Sequence, residues 1–191
     1  MQPAEIAILA ESPGVVSPLE DIAAVHALYE QRVFRFLLMN VRDRDAALSL
    51  TQDTFLNAWR YRASFRGECS IATWLMRIAV NLLRDHTRTE QFKFWKRATA
   101  TAASVDDLKL QHPTQSAEKS LIAHEKLHAV WKSVEELSQR QRTVFLLRFV
   151  EEMELNEIAT ATGIPLATVK SHLYRALDHI RAKHNATKGG A

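Results

Sequence analysis

Apolar residues recur at helical spacing in two long blocks, and one aperiodic stretch separates them; this pattern restricts the chain to two small all-helical units. In the first block Leu28, Phe36 and Leu37 mark a helix reaching about residue 40. Leu48, Phe55, Leu56 and Trp59 mark a second over about 45–62, and Ile71, Leu75, Ile78, Leu82 and Leu83 a third over about 71–90. In the second block Leu121, Leu127, Val130, Trp131 and Val134 give one helix, and Val144, Leu147 and Phe149 another. A short helix over 155–161 follows, and Pro165 opens a long one through about 184, at the first position that proline favours. Between the blocks, 91–116 is rich in Ala, Thr, Ser, Asp and Gln, with Pro113 near its end. The expectation is an all-α chain: a mobile arm over 1–18 (Pro3, Pro13, Gly14, Pro18), a domain over 19–90, a flexible linker over 91–116 and a helix-turn-helix domain over 117–191.

Composition agrees. Apolar residues make up 47% of 191, enough for a core, and Gly and Pro number five each, few enough to favour helices. The net charge of +3 suits nucleic-acid contact and is unevenly spread. The first 31 residues carry Glu5, Glu11, Glu20, Asp21 and Glu30 and no Lys or Arg; the last helix and tail carry Lys170, Arg175, Arg181, Lys183 and Lys188 against Asp178. Cys69 is the only cysteine, so no internal disulfide forms. No apolar run approaches the roughly 20 residues that span a bilayer, and the start lacks a basic signal-peptide region; an intracellular protein with no membrane insertion is expected.

The most informative segment is 137–181, which reads helix, short helix, turn, helix. Gly163 supplies a positive φ where the short helix stops. Ile158, Ala159, Ile164, Val169 and Leu173 pack the two helices at the steep angle of a helix-turn-helix. On the last helix Ala167, Val169, Leu173, Ala176, Leu177 and Ile180 form the inner side, while Lys170, Ser171, Tyr174 and Arg175 lie outside. Such a set near a helix N-terminus can reach base edges and phosphates in the major groove. An ordinary solvated hairpin has the same periodicity; Tyr174 beside two cations favours DNA.

The third helix carries a second face. Arg77, Asn81, Arg84 and Arg88 share one stripe opposite Leu75, Ile78 and Leu82. Three arginines and an amide suit a DNA backbone and an unstacked base, although charge runs are usually solvated faces.

Leu137-Ser-Gln-Arg-Gln-Arg-Thr-Val-Phe-Leu-Leu-Arg148, Glu157-Ile-Ala, Gly163-Ile-Pro-Leu-Ala-Thr-Val-Lys-Ser171 and Tyr174-Arg-Ala176 resemble the −35-reading domain of extracytoplasmic-function sigma factors. Thr73-Trp-Leu-Met-Arg-Ile-Ala-Val-Asn81 and Asp85-His-Thr-Arg88 resemble that family's −10-binding helix, with Asn81 at a base-contacting position. The segment 64–70 is similar to the loop that catches a flipped base, and Leu50-Thr-Gln-Asp-Thr-Phe-Leu56 to the helix that binds the polymerase clamp, with Gln52, Asp53 and Leu56 facing polymerase. The chain departs from the pattern at Ser138 (usually Pro), Glu154 (often an N-capping Ser), Ala167 (commonly Gly) and Leu48-Ser49 (usually two acids). A weaker resemblance is to the sigma factor of a cobalt and nickel resistance operon.

The resemblance implies a transcription initiation factor that brings core RNA polymerase to −35 and −10 elements, helps melt the DNA and is controlled by a membrane-anchored anti-sigma factor. It implies no cofactor and no enzymatic activity, and no phosphate loop, nucleophile elbow or paired-carboxylate motif occurs. His124 and His128 have a metal-gripping spacing without a third ligand in sequence. Trp59, Trp74 and Trp131 are expected in the core. A stand-alone helix-turn-helix repressor is the alternative reading. The two promoter elements of the family lie about two DNA turns, roughly 70 Å, apart, whereas a 26-residue coil spans roughly 28 Å r.m.s.. The linker is therefore drawn out at work, and the free or inhibited protein lets the domains close on each other.

Overall fold

A computed structural model describes residues 21–98, 127–128 and 130–188. The described residues form helices and turns and no strand. The arm over 1–18, most of the linker, Leu121 and His124 lie outside them.

Helix α1 spans Ile22–Val41. Asp21 Oδ1 accepts from Ala24 N at 2.9 Å, satisfying one of the free N–H groups at the helix start. Helix α2 spans Arg44–Tyr61 and is capped likewise by Asp43. A 3-10 turn, Arg62–Ser64, leads to the loop before α3, which spans Ile71–Ala98. Ser70 caps α3 as its sequence position predicts, accepting from Thr73 N at 3.1 Å. Val33, Phe36, Leu37, Ala47, Ala58, Leu75, Met76 and Ala79 close this three-helix core, each almost wholly removed from water.

The second unit begins with helical residues 130–135. Helix α4 spans Gln139–Phe149, where Ser138 and Gln141 cap each other's backbone N–H groups, so the serine standing in place of a proline forms a capping box. Helix α5 spans Leu155–Thr162 and α6 spans Leu166–Lys188. Gly163 between them has φ 68°. Pro165 stands one position before α6, its carbonyl accepting from Thr168 and Val169. Val144, Leu146, Leu147, Ile158, Ala161, Val169 and Ala176 fill this second core. Glu136 holds α6 against residues 130–135 through Lys183 Nζ at 2.7 Å.

The two units touch. α3 lies along α5 and α1 against α4, so the closed arrangement expected of the free chain is the one adopted.

Several apolar assignments need correction. Leu28 is 72% exposed, Leu127 53% and Trp59 49%, and Leu48 and Leu56 are exposed as well, so these five point away from the core. Ala167 is exposed rather than on the inner side of α6, and Phe149 is half exposed, stacking on Phe145 at 4.8 Å. Apolar spacing marks a face without saying whether that face meets the core or solvent. Trp74 and Trp131 do pack on the core, partly buried. Helix α3 runs eight residues beyond the end expected near 90.

Candidate nucleic-acid interface

The turn between α5 and α6 sets the exposed face of α6. Ile158 and Val169 have no exposed area, and Leu173 is nearly buried, so these side chains lock the two helices together. Lys170, Ser171, Tyr174 and Arg175 are then forced outward, and all four are exposed, Tyr174 by 64%. Arg140 on α4, which the sequence reading missed, adds charge nearby. Burial first, then Arg140 and Arg175, push the His172 imidazole below its ordinary pKa. The missed signal is spatial: Arg140 is 30 or more residues from the α6 set.

Glu154 is a poor capping residue, and α5 uses another. Glu157 Oε2 accepts from Glu154 N at 2.9 Å, supplying the reciprocal half of a cap. Glu154 itself pairs with Arg148 Nη1 at 3.1 Å.

On α3, Arg77, Arg84 and Arg88 are exposed and Asn81 is half-buried, in one line along the helix. Arg88 lies 3.5 Å from Asp85. Beside them, the loop over 64–70 is held by Phe65, whose ring packs on Trp74 at 5.4 Å, and turns at Gly67, φ 73°. Burial raises the Cys69 thiol pKa above its ordinary value, outweighing the pull of Arg77, which keeps the thiol protonated and weakly reactive.

Helix α2 presents Gln52, Asp53 and Leu56 to solvent while Thr51, Thr54 and Phe55 are buried. Thr51 and Thr54 satisfy their hydroxyls on the Ala47 and Leu50 carbonyls at 2.7 Å. Leu48 and Trp59 extend the outward face, so α2 shows an apolar stripe with Asp53 at its margin. Exposed leucines and a tryptophan on one short helix form the kind of patch that marks a protein partner.

These three faces are not gathered into one site. Arg84 and Arg88 line a cleft of about 480 Å³ between the units, opposite Arg140 and Ile164 and over Val80 and Leu83. The α6 set lies on the outer side of its own helix.

The family description "Sigma-70 region 2" matches residues 26–93, and "Sigma-70, region 4" matches residues 127–180. The chain belongs to the sigma-70 family, in its extracytoplasmic-function type. Its relatives include the RNA polymerase sigma-H factor of Pseudomonas aeruginosa, 27% identical over 155 residues and 80% of each chain. The sigma factor YlaC of Bacillus subtilis is 29% identical, over 88% of this chain and 94% of its own. Among solved structures, the sigma factor RpoE of Bartonella quintana in complex with the anti-sigma factor NepR shares the fold, with a TM-score of 0.67, 21% identity and coverage of 86% of this chain and 97% of that one. CnrH in complex with the cytosolic domain of CnrY gives 0.59 at 19% identity, covering 86% and 88%. At these identities a sigma factor's structure shares its fold with this chain and nothing narrower, a metal signal included. In this sigma factor the region 2 match takes in the α2 and α3 faces, and the region 4 match the outward set on α6. No described helix is long and apolar enough to cross a membrane.

Proposed function

We propose that this sigma factor works through three separate faces. Lys170, Ser171, Tyr174 and Arg175 read the −35 element in the major groove. Arg77, Asn81, Arg84 and Arg88 hold the −10 element, with the loop over 64–70 taking an unstacked base. Gln52, Asp53 and Leu56, joined by Leu48 and Trp59, bind core polymerase. The working divisions are a region 2 domain over 19–90 and a region 4 domain over 117–191, on an arm over 1–18 and a linker over 91–116. The protein acts in the cytoplasm and catalyses no reaction of its own.

The observation that carries this reading is the outward set on α6 over a buried Ile158–Val169 seam, which lies within the residues that match region 4. An anti-sigma factor is the proposed regulator, since the fold's solved neighbour from Bartonella is bound to one. A segment of it, an amphipathic helix, is proposed to lie between the domains and bury their apolar grooves. Run-off transcription with core polymerase and a genomic promoter library tests the reading. Discrete transcripts that need this chain support it; none from any promoter contradicts it.

A further inference from the structure

The cleft between the two units has the size and the chemistry of a small-molecule site. Its volume of about 480 Å³ lies in the range of ligand pockets. An α-helix about 10 Å across would fill that volume with a single turn, so the cleft suits a small molecule better than a docked helix. The floor is apolar: Val80 and Leu83 from α3 meet Val144 from α4 and Ile164 from the turn before α6. The walls are basic. Arg84 and Arg88 come from α3 and Arg140 from α4, so three guanidinium groups from two units line one space.

Against them stands one carboxylate among the lining residues. Asp85 lies 3.5 Å from Arg88, both side chains are well exposed, and such a pair is weak. Arg84 donates to Asn81 Oδ1, and neither Arg84 nor Arg140 pairs with a carboxylate among the described residues. Gathered cations repel one another, and an anion in the cleft removes that cost.

The neutral polar groups of the lining have the opposite sense. Thr87, Thr143 and Thr162 have their hydroxyl protons committed, to the Leu83 carbonyl at 2.8 Å, Asn40 Oδ1 at 3.0 Å and the Ile158 carbonyl at 2.6 Å. Gln139 gives an amide N–H to Asn40 Oδ1 at 3.2 Å, which leaves its Oε1 to accept. These groups offer the cleft lone pairs, while the arginines offer N–H forks that grip phosphate oxygens two at a time. The matching ligand carries an anion with several oxygens, N–H or O–H donors and a flat apolar surface. A nucleoside phosphate has all three, in its phosphates, in its ribose and base edge, and in its base plane.

We propose that this cleft binds a nucleoside phosphate, with Arg84, Arg88 and Arg140 on the phosphate oxygens and the base over the apolar floor, and that the ligand competes with −10 DNA for Arg84 and Arg88. The competition rests on the −10 reading given above; the binding site does not. Both ligands claim the same guanidinium donors, so these two arginines serve one or the other.

The test is isothermal titration calorimetry of the whole chain with ADP and GDP, and with pyrophosphate, adenosine and guanosine as their parts. ADP or GDP is expected to bind at one site per chain, about tenfold or more tighter than pyrophosphate or either nucleoside. Arg140→Ala should weaken that binding by about tenfold through the lost charge-assisted contacts. Arg140→Lys, which keeps the charge without the fork, should recover only part of the loss. Lys132→Ala removes an exposed cation that does not line the cleft and should change nothing. Pyrophosphate as tight as both nucleotides, equal losses in Arg140→Ala and Lys132→Ala, or no saturable binding overturns the site. Permanganate footprinting with core polymerase then reads the competition. The nucleotide that binds should reduce promoter opening by the wild-type chain, and less so by the Arg140→Ala chain. No reduction, or an equal one in both chains, overturns the competition. Calorimetry needs neither polymerase nor promoter, so failure of every chain to open DNA would fall on the sigma-factor reading, and binding alone would still decide the site.

Discussion

Arg84 Nη2 donates a hydrogen bond to Asn81 Oδ1 at 2.9 Å, one turn away on α3. The contact occupies the amide's acceptor and leaves its NH2 to donate outward, toward a base or sugar acceptor. Asn81→Ala should impair open-complex formation, by on the order of 1–3 kcal/mol if the amide contacts a base. Arg84→Ala should do so less, by releasing the amide and one phosphate contact. Permanganate footprinting reads the melted bases, with circular dichroism to check folding; a wild-type footprint from a folded Asn81→Ala chain would remove this residue from the −10 face.

Lys170 and Arg175 are exposed, on the side of α6 away from the buried Val169, Leu173 and Ala176, so alanine there should leave the fold intact. Arg175→Ala should weaken polymerase-dependent −35 binding by about 1–3 kcal/mol with relaxed preference at one base pair if it reads a base. Uniform weakening with a shallower salt slope would assign it to phosphate. Unchanged promoter binding by the Lys170→Ala/Arg175→Ala chain would exclude this face.

The turn between α5 and α6 requires its glycine for backbone reasons alone. A Cβ on Gly163 meets no atom within 4 Å, but φ is 68°. Gly163→Ala should therefore lower stability by about 1 kcal/mol through conformation, not collision. Ser138→Ala, which removes the capping box on α4, should lower it by a similar ~1 kcal/mol. Urea denaturation measures both.

Burial and the cations Arg140 and Arg175 depress the His172 pKa from 6.5. The unfolded chain then binds the proton more readily than the folded one, so stability should fall as pH drops through 6.5 toward the lower folded value. His172→Gln should flatten that part of the profile. A melting temperature equally pH-dependent with and without His172 would contradict this.

The helix-turn-helix was legible because its constraints are local: Gly163 stops one helix, and Ile158, Val169 and Leu173 lie at the spacing that packs two. The stripe on α3 was legible for the same reason. Trp59 was misread because a tryptophan at helical spacing has the same pattern whether it faces a core or a partner. The end of α3 was misread because packing imprints the apolar period, and Gln91 and Phe92 are exposed, with nothing to imprint it. Glu151 gave no sign of burial. Arg32 and Arg35, whose guanidinium groups donate to its carboxylate, lie 119 and 116 residues away, and a Glu-Glu pair in a turn looks like ordinary solvated surface.

Whether the α6 face and the α3 face read DNA only in company with polymerase is the central question, and a gel shift answers it most directly. A promoter fragment recovered from the run-off library is titrated with this chain alone and with the chain plus core polymerase, at fixed salt. The sigma-factor account predicts no sequence-specific shift by the chain alone, because two weakly charged modules hold DNA weakly unless polymerase aligns them. It predicts a specific, competitor-resistant shift once polymerase is added. A specific shift of equal affinity without polymerase would contradict the account and identify a stand-alone helix-turn-helix regulator.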